Sequence, residues 1–362
     1  MRDSTDTRRA VTRATALLLA ALTAAGCSLP PSYYAQAIGG QLSLLSAARP
    51  VQDWVDDPAT PEPLRQRLAL ATRIRAFASE TLALPRNRSY TRYADIRRSS
   101  AVWNVFAAPP YSLELHTWCY PVAGCAAYRG YFAREDAQRL ADQLARQGED
   151  ATVAPVPAYS TLGWLPDPLL STFIHWPEAE LARLVFHELA HQVVYVGGDT
   201  RFNESFATCV EQAGLARWVG ARQDPELQRQ YELLRLRRAD VQALVAQTRA
   251  RLEAVYASGQ PPARMAEAKE AAFADLQQRY RALRDSRWGG DTRYDALFLA
   301  PWNNARIAAM AAYQDDVPAF DALLARNGGD LPRFYAAVRA LADLPRAQRE
   351  RQLRELAGAG GA

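Results

Sequence analysis

The stretch His187-Glu188-Leu189-Ala190-His191 sets two histidines four residues apart with a glutamate beside the first. On an α-helix, residues i and i+4 share a face, so both imidazoles can offer a nitrogen to one ion while Glu188 projects beside it. This His-Glu-x-x-His pattern is the one that binds zinc and keeps a carboxylate at hand as general base for hydrolysing a peptide bond. The competing reading is a buried apolar helix, with Leu184, Val185, Phe186 and Val193 around two ordinary core histidines. It would leave two imidazoles and a carboxylate unpaired, at roughly 2–7 kcal/mol per polar group, and a metal removes that cost.

A catalytic zinc takes three protein ligands and keeps one position open. Gly197-Gly198 ends the first helix, and Asn203 reads as the cap of a second running from Glu204 to about Val219. That return brings Glu204 back toward the histidines. Glu211, two turns further on, competes for the same role. His116 and His175 read as polar surface or hydrogen-bonded residues. The oxyanion formed in peptide hydrolysis needs a donor, often a tyrosine hydroxyl, and Tyr159, Tyr195, Tyr294 and Tyr313 all qualify. An aminopeptidase also needs a carboxylate for the substrate's ammonium, for which Asp167, Glu178 and Glu211 are available. The turn-rich segment Tyr159 to Pro168 reads as a loop by the cleft. Tyr159, Gly163 and Trp164 are expected to align substrate there, with Trp164 in a pocket wall, and Asn303 is a further candidate for holding substrate backbone.

Several elements must position these groups. Residues 28 to 50 read as a tether and a small-residue segment, and Leu64 to Leu82 has helical apolar spacing. Ala101 to Ala107, Tyr111 to Trp118 and Ala151 to Ala158 read as strands of a small mixed sheet, with an amphipathic helix from Arg134 to Gln147 between them. The zinc helix spans Pro177 to Val196, with acidic residues in its first turn. Asp224 caps a long helix that turns at Gly259 to Pro262 and returns to about residue 285, a helical hairpin whose many Arg/Glu pairs make a solvated face or a surface for an envelope partner. Leu331 to Leu356 reads as one peripheral helix.

The amino-terminal residues carry a different message. Arg2, Arg8, Arg9 and Arg13 precede the apolar run Ala14 to Ala25, which ends in Ala-Ala-Gly-Cys at Cys27. A dozen apolar residues are too few to span a membrane, and small residues before a cysteine suit a lipoprotein signal, so Cys27 is the expected lipidation site. The protein is then expected to face the periplasm from a bacterial envelope membrane, with Ser28 leaning toward the outer one. The chain is 49% hydrophobic and 23% charged, with formal net charge +4. Four arginines and two aspartates of that balance lie in the first 26 residues, so the basic excess says little about nucleic acid, and no aromatic-basic platform for it is present. In an oxidising compartment Cys119 and Cys125 can close a short loop, leaving Cys209 free.

"FHELAHQ" followed by "FNESFATCVE" resembles the gluzincin metallopeptidases, in particular the aminopeptidase N family. The resemblance implies zinc roles for His187, His191 and Glu204 and the general base for Glu188, leaving Glu211 behind the ligands. The gap between His191 and Glu204 is shorter than in that family, and its Gly-Ala-Met-Glu-Asn segment is absent. "WCYPVAGCAAYRGYF", Tyr159 to Pro168 and "PWNNARIAAMAAY" are similar to a bacterial lipoprotein family called putative aminopeptidases, over most of the mature chain.

The expected fold is therefore α+β and mostly helical: a gluzincin-like catalytic core with a small mixed sheet and a long helical hairpin. The expected divisions are a signal segment 1–27, tether and helices 28–100, a metallopeptidase core 101–222, a hairpin 223–288 and a helical part 289–362 completing the catalytic unit. The expected activity is hydrolysis of peptide bonds by an aminopeptidase with one Zn²⁺ per chain. The alternatives are an endopeptidase or cell-wall peptide hydrolase, or a non-catalytic metal-binding scaffold.

Overall fold

The computed structural model describes residues 30–120, 124–158, 160–312 and 315–359. In chain order the elements are α1 (Pro31–Ala47), β1 (Arg49–Pro50), α2 (Val51–Asp56), α3 (Glu62–Glu80), β2 (Arg92–Ala94), β3 (Val102–Ala108), β4 (Trp118–Tyr120), β5 (Gly124–Ala126) and β6 (Arg129–Tyr131). They continue with α4 (Arg134–Arg146), β7 (Asp150–Val156), β8 (Leu169–Leu170), α5 (Glu178–Ala190), α6 (Thr200–Arg222), α7 (Pro225–Tyr256) and α8 (Pro262–Ser286). Five shorter helices follow: α9 (Asp295–Phe298), α10 (Asn304–Ala312), α11 (Val317–Arg326), α12 (Leu331–Ala342) and α13 (Arg346–Ala359). The architecture is mostly helical α+β with small sheets of two or three strands, as the sequence led us to expect.

The largest core gathers the apolar faces of α3, α5, α6 and α12, with Phe186, Phe202, Phe206 and Phe334 fully buried. A sheet of order β6-β3-β7, antiparallel throughout, packs α4 on one face. Its β7 is an edge strand. The hairpin of α7 and α8 has a core of its own, where Tyr280 stacks on Phe298 and Trp302 packs against Phe298 at a tilt. It is sewn to the sheet by Asn304, whose amide donates to the carbonyls of Pro109 and Pro110 and accepts from the Tyr256 hydroxyl.

Four local expectations change. The segment from Pro31 is helical, because proline suits a first helical turn and Leu44 is drawn into the core. Of Tyr111 to Trp118 only Trp118 lies in a strand. Its alternation serves two different cores, with Leu113 against the hairpin and Leu115 beside Phe106. Asn203 does not cap α6: Asp199 does, accepting from Phe202 N, while the Asn203 amide bonds both N and O of Val196. The carboxy-terminal helix is two helices broken before Pro345, and it is not peripheral, since buried Arg349 on α13 donates twice to Asp199 Oδ2.

Candidate metal centre

The two helices that carry the site run antiparallel, because Glu178 at the start of α5 accepts hydrogen bonds from Trp218 and Arg222 near the end of α6. At the other end α5 stops at Ala190, short of the expected Val196, and His191 is its C-cap with helical dihedrals (φ −58°, ψ −22°). His187 and His191 therefore keep the i, i+4 relation of a helix. The loop after them is pinned by Asn203 and Asp199, which sets where α6 begins and so where Glu204 stands.

Three donor atoms converge. His187 Nε2 lies 3.2 Å from His191 Nε2 and 3.2 Å from Glu204 Oε2, and His191 Nε2 lies 3.8 Å from Glu204 Oε2. A tetrahedral zinc with bonds of about 2.0–2.1 Å separates its ligand atoms by about 3.3 Å, so two nitrogens and one oxygen at these spacings suit it. All three residues are buried. Glu211, one of the alternatives for third ligand, meets the other side of the ring, with Oε2 3.0 Å from His187 Nδ1. That bond favours the proton on Nδ1 and leaves the Nε2 lone pair for a metal.

Charge is arranged in layers around this group. Without an ion, burial pulls the His187 pKa down, but hydrogen bonds to Glu204 and Glu211 overcome it and raise the value to about 10. Burial lowers His191 to about 4. The Glu204 carboxyl is drawn below its usual range, since the histidines outweigh its burial. Glu211 is lowered far more, because Arg183 Nη1 at 2.9 Å and Arg238 Nη1 at 2.8 Å grip its two oxygens against the cost of burial. The Glu188 carboxyl makes no hydrogen bond among the described residues, and burial pushes its pKa up to about 7 despite His187. A carboxylate with that value and nothing bound to it is suited to exchange protons near neutral pH.

Above these groups opens a cleft of about 620 Å³, bordered by His187, Glu188, His191 and Glu204 below and by Ala154 to Ala158 of β7 and its continuation at the side. Of the tyrosines expected at the site, Tyr195 lines the cleft, Tyr294 instead packs on Trp288 at the hairpin core, and Tyr159 and Tyr313 lie outside the described residues, as does Cys27. Tyr128, which sequence reasoning passed over, lines the cleft too. It sits inside the "WCYPVAGCAAYRGYF" segment, where Cys119 and Cys125 are joined by a disulfide across β4 and β5. Burial and nearby Glu204 raise its pKa, so it keeps its proton.

The loop before α5 reaches the cleft through Ser160 and Leu162. Leu162 at φ +58° and Gly163 at φ +82° make two consecutive left-handed residues, the second of which only glycine adopts without strain. Gly163 faces the Gln192 side chain. Trp164 does not form a pocket wall: that turn throws it outward, and it is 79% exposed. Asn303 is taken up structurally, since its Nδ2 donates to Ala151 O and its Oδ1 accepts from Arg306 N at the start of α10. None of the three carboxylates considered for an ammonium group is free. Glu178 clamps α6, Glu211 is held by two arginines, and Asp167 accepts from Thr161 N beneath the loop. Arg183 and Arg238 also line the cleft. Nothing in the sequence marked them.

A mostly helical α+β protein with a buried His-His-Glu group that could hold a metal at the floor of a cleft is the class that fold and site define. The chain belongs to the family described as "Putative aminopeptidase", whose model matches residues 32–353. No curated protein and no solved structure matches it.

Proposed function

We propose that this protein is a zinc-dependent peptidase of the gluzincin type, acting as an aminopeptidase, with His187, His191 and Glu204 as metal ligands and Glu188 as general base. The family supports peptidase activity. The observation that carries the rest is the convergence of three ligand atoms at zinc-like spacings beside an unbonded glutamate. A zinc ion held there would supply the Lewis acidity that polarises a carbonyl and brings the pKa of a water down to about 7. Glu188 would take a proton from the attacking water and return it to the leaving nitrogen. Glu211 keeps the His187 ring oriented through Nδ1. Tyr128 and Tyr195 offer neutral hydroxyls toward the developing oxyanion. β7 is an edge strand along the cleft, the place where an extended peptide can add as a further strand.

The arginines ahead of a short apolar run and the small residues before Cys27 support lipidation there and a place on the periplasmic side of an envelope membrane. None of the three carboxylates weighed for a substrate ammonium is free among the described residues, which favours a second reading, an endopeptidase or cell-wall peptide hydrolase. One experiment separates them. The protein lacking residues 1–27 is purified, its zinc measured, and free and N-acetylated peptides compared, with Glu188→Gln as control. Zinc retained with cleavage abolished in Glu188→Gln supports the assignment. Equal cleavage of blocked and free peptides removes the aminopeptidase reading, and zinc binding without any cleavage leaves a metal-binding scaffold.

A further inference from the structure

Arg183 and Arg238 border not one cavity but two. They also line a second cavity of about 140 Å³, together with Arg235, Gln212, Tyr231 and Gln242. Arg235 and Arg238 stand on α7, so the hairpin contributes directly to the surroundings of the metal centre. The charges do not balance. Arg183 is met by Glu180 and Glu211, Arg238 by one oxygen of Glu211, and Arg235, which is exposed, makes no ion pair among the described residues. Three guanidinium groups thus face two carboxylates, and no acidic side chain lines the second cavity. A guanidinium carries five N–H donors in a fixed fork that suits a carboxylate, and Arg238 spends one of its nitrogens on Glu211.

Arg235 stands i, i+3 from Arg238 on α7, one turn along the same face. Arg238 reaches the metal-ligand His187 through a single carboxylate: 2.8 Å from Arg238 Nη1 to Glu211 Oε1, then 3.0 Å from Glu211 Oε2 to His187 Nδ1. Adding the widths of a carboxylate and an imidazole, the guanidinium is at most about 10 Å from the ligand nitrogens, which an extended peptide at about 3.3 Å per residue covers in two or three residues.

Resting on the peptidase reading above, we infer that Arg235, Arg238 and Arg183 form a carboxylate subsite, and that the preferred substrates are peptides with a carboxylate two or three residues from the cleaved bond. It comes either from the free C-terminus of a short peptide or from an Asp or Glu side chain. The arginines complement the acceptor the substrate brings, while Glu211 keeps Arg183 and Arg238 fixed in place.

The test uses matched short peptides in three forms: free C-terminal acid, C-terminal amide, and amide carrying an internal Glu in place of Gln. Wild-type zinc-loaded protein and Arg235→Gln are assayed for kcat/KM. Binding of the same peptides to the Glu188→Gln protein is measured by calorimetry. Wild type should favour a carboxylate-bearing peptide by about tenfold or more, the value of one charge-assisted hydrogen bond, and Arg235→Gln should shrink that ratio severalfold. Preference for the C-terminal acid alone points to short peptides, and preference for internal Glu points to acidic ones. Equal handling of acid and amide, or a ratio that Arg235→Gln leaves unchanged, overturns the subsite while the peptidase reading stands. Tighter binding of the carboxylate forms with no hydrolysis by wild type keeps the subsite and removes the peptidase reading.

Discussion

Glu211 stands behind His187, its Oε2 3.0 Å from the ring Nδ1, while Arg183 and Arg238 hold both carboxylate oxygens. Orientation of a ligand by such an outer carboxylate is typically worth 10- to 100-fold in metal affinity. Glu211→Gln should therefore weaken zinc binding by about that factor, measured by competition with a chelator of known affinity. The change also leaves the half-buried Arg238 without its anion and Arg183 with Glu180 alone, so Tm should fall in the metal-free protein. A variant that binds zinc as tightly as wild type would show that the Nδ1 contact does not orient the ring.

The same carboxylates make metal binding depend on pH. In the metal-free protein His187 is raised to about 10 by Glu204 and Glu211, whereas burial holds His191 near 4. At pH 7 His187 is therefore protonated and His191 neutral. A metal needs both neutral, so binding displaces about one proton, from His187. Affinity should rise roughly tenfold from pH 6.5 to 7.5, and calorimetry in buffers of different ionisation enthalpy should register the released proton. The same slope would vanish above about pH 10. An affinity flat across that unit of pH would mean that His187 is neutral before the metal arrives.

Tyr128 is the more enclosed of the two cleft tyrosines, Tyr195 being 40% exposed. Both Glu204 and Glu188 act on its hydroxyl, whereas of these two only Glu204 acts on Tyr195. Burial keeps the hydroxyl protonated and so able to donate. If it is the oxyanion donor, Tyr128→Phe lowers kcat by about 10²–10³-fold with little change in KM, and Tyr195→Phe changes it less. A Tyr128→Phe enzyme of near-normal kcat would transfer the role elsewhere.

The contrast between Glu204 and Arg238 shows what a sequence carries. His187, His191 and Glu204 are tied by local rules, an i, i+4 spacing and a turn that returns the chain, so short-range pattern was enough to bring them together. Glu211 follows from Glu204 by two helical turns on one face. Arg238 comes to the same place on a different helix through tertiary packing, and no spacing links it to His187. Trp164 and Asn303 failed for a related reason. Residue type named groups able to touch a substrate, but two left-handed residues turned one outward and a helix start took up the other. The fold divides in the same way. Capped and amphipathic helices such as α4 and α7 were legible, whereas the alternation from Tyr111 to Trp118 reflects contact with two separate cores, which a single strand's periodicity imitates.

The carboxy-terminal helices are tied to the start of α6, and that gives a test of stability separate from chemistry. Arg349 is buried and donates through Nε and Nη2 to Asp199 Oδ2, at 3.0 and 2.7 Å. Asp199 caps α6 through its other oxygen, five residues ahead of Glu204. Removing one partner of a buried pair strands the other, at about 3–5 kcal/mol. Arg349→Met should cost about that much in denaturant unfolding of the metal-free protein. The double variant Asp199→Asn, Arg349→Met should recover part of it, since the stranded charge is gone and an asparagine still caps. Because the cap sets the start of α6, zinc affinity should fall in Arg349→Met and return with the double variant. Stability lost without any change in zinc affinity would mean that Glu204 is placed by its own packing and owes nothing to the cap.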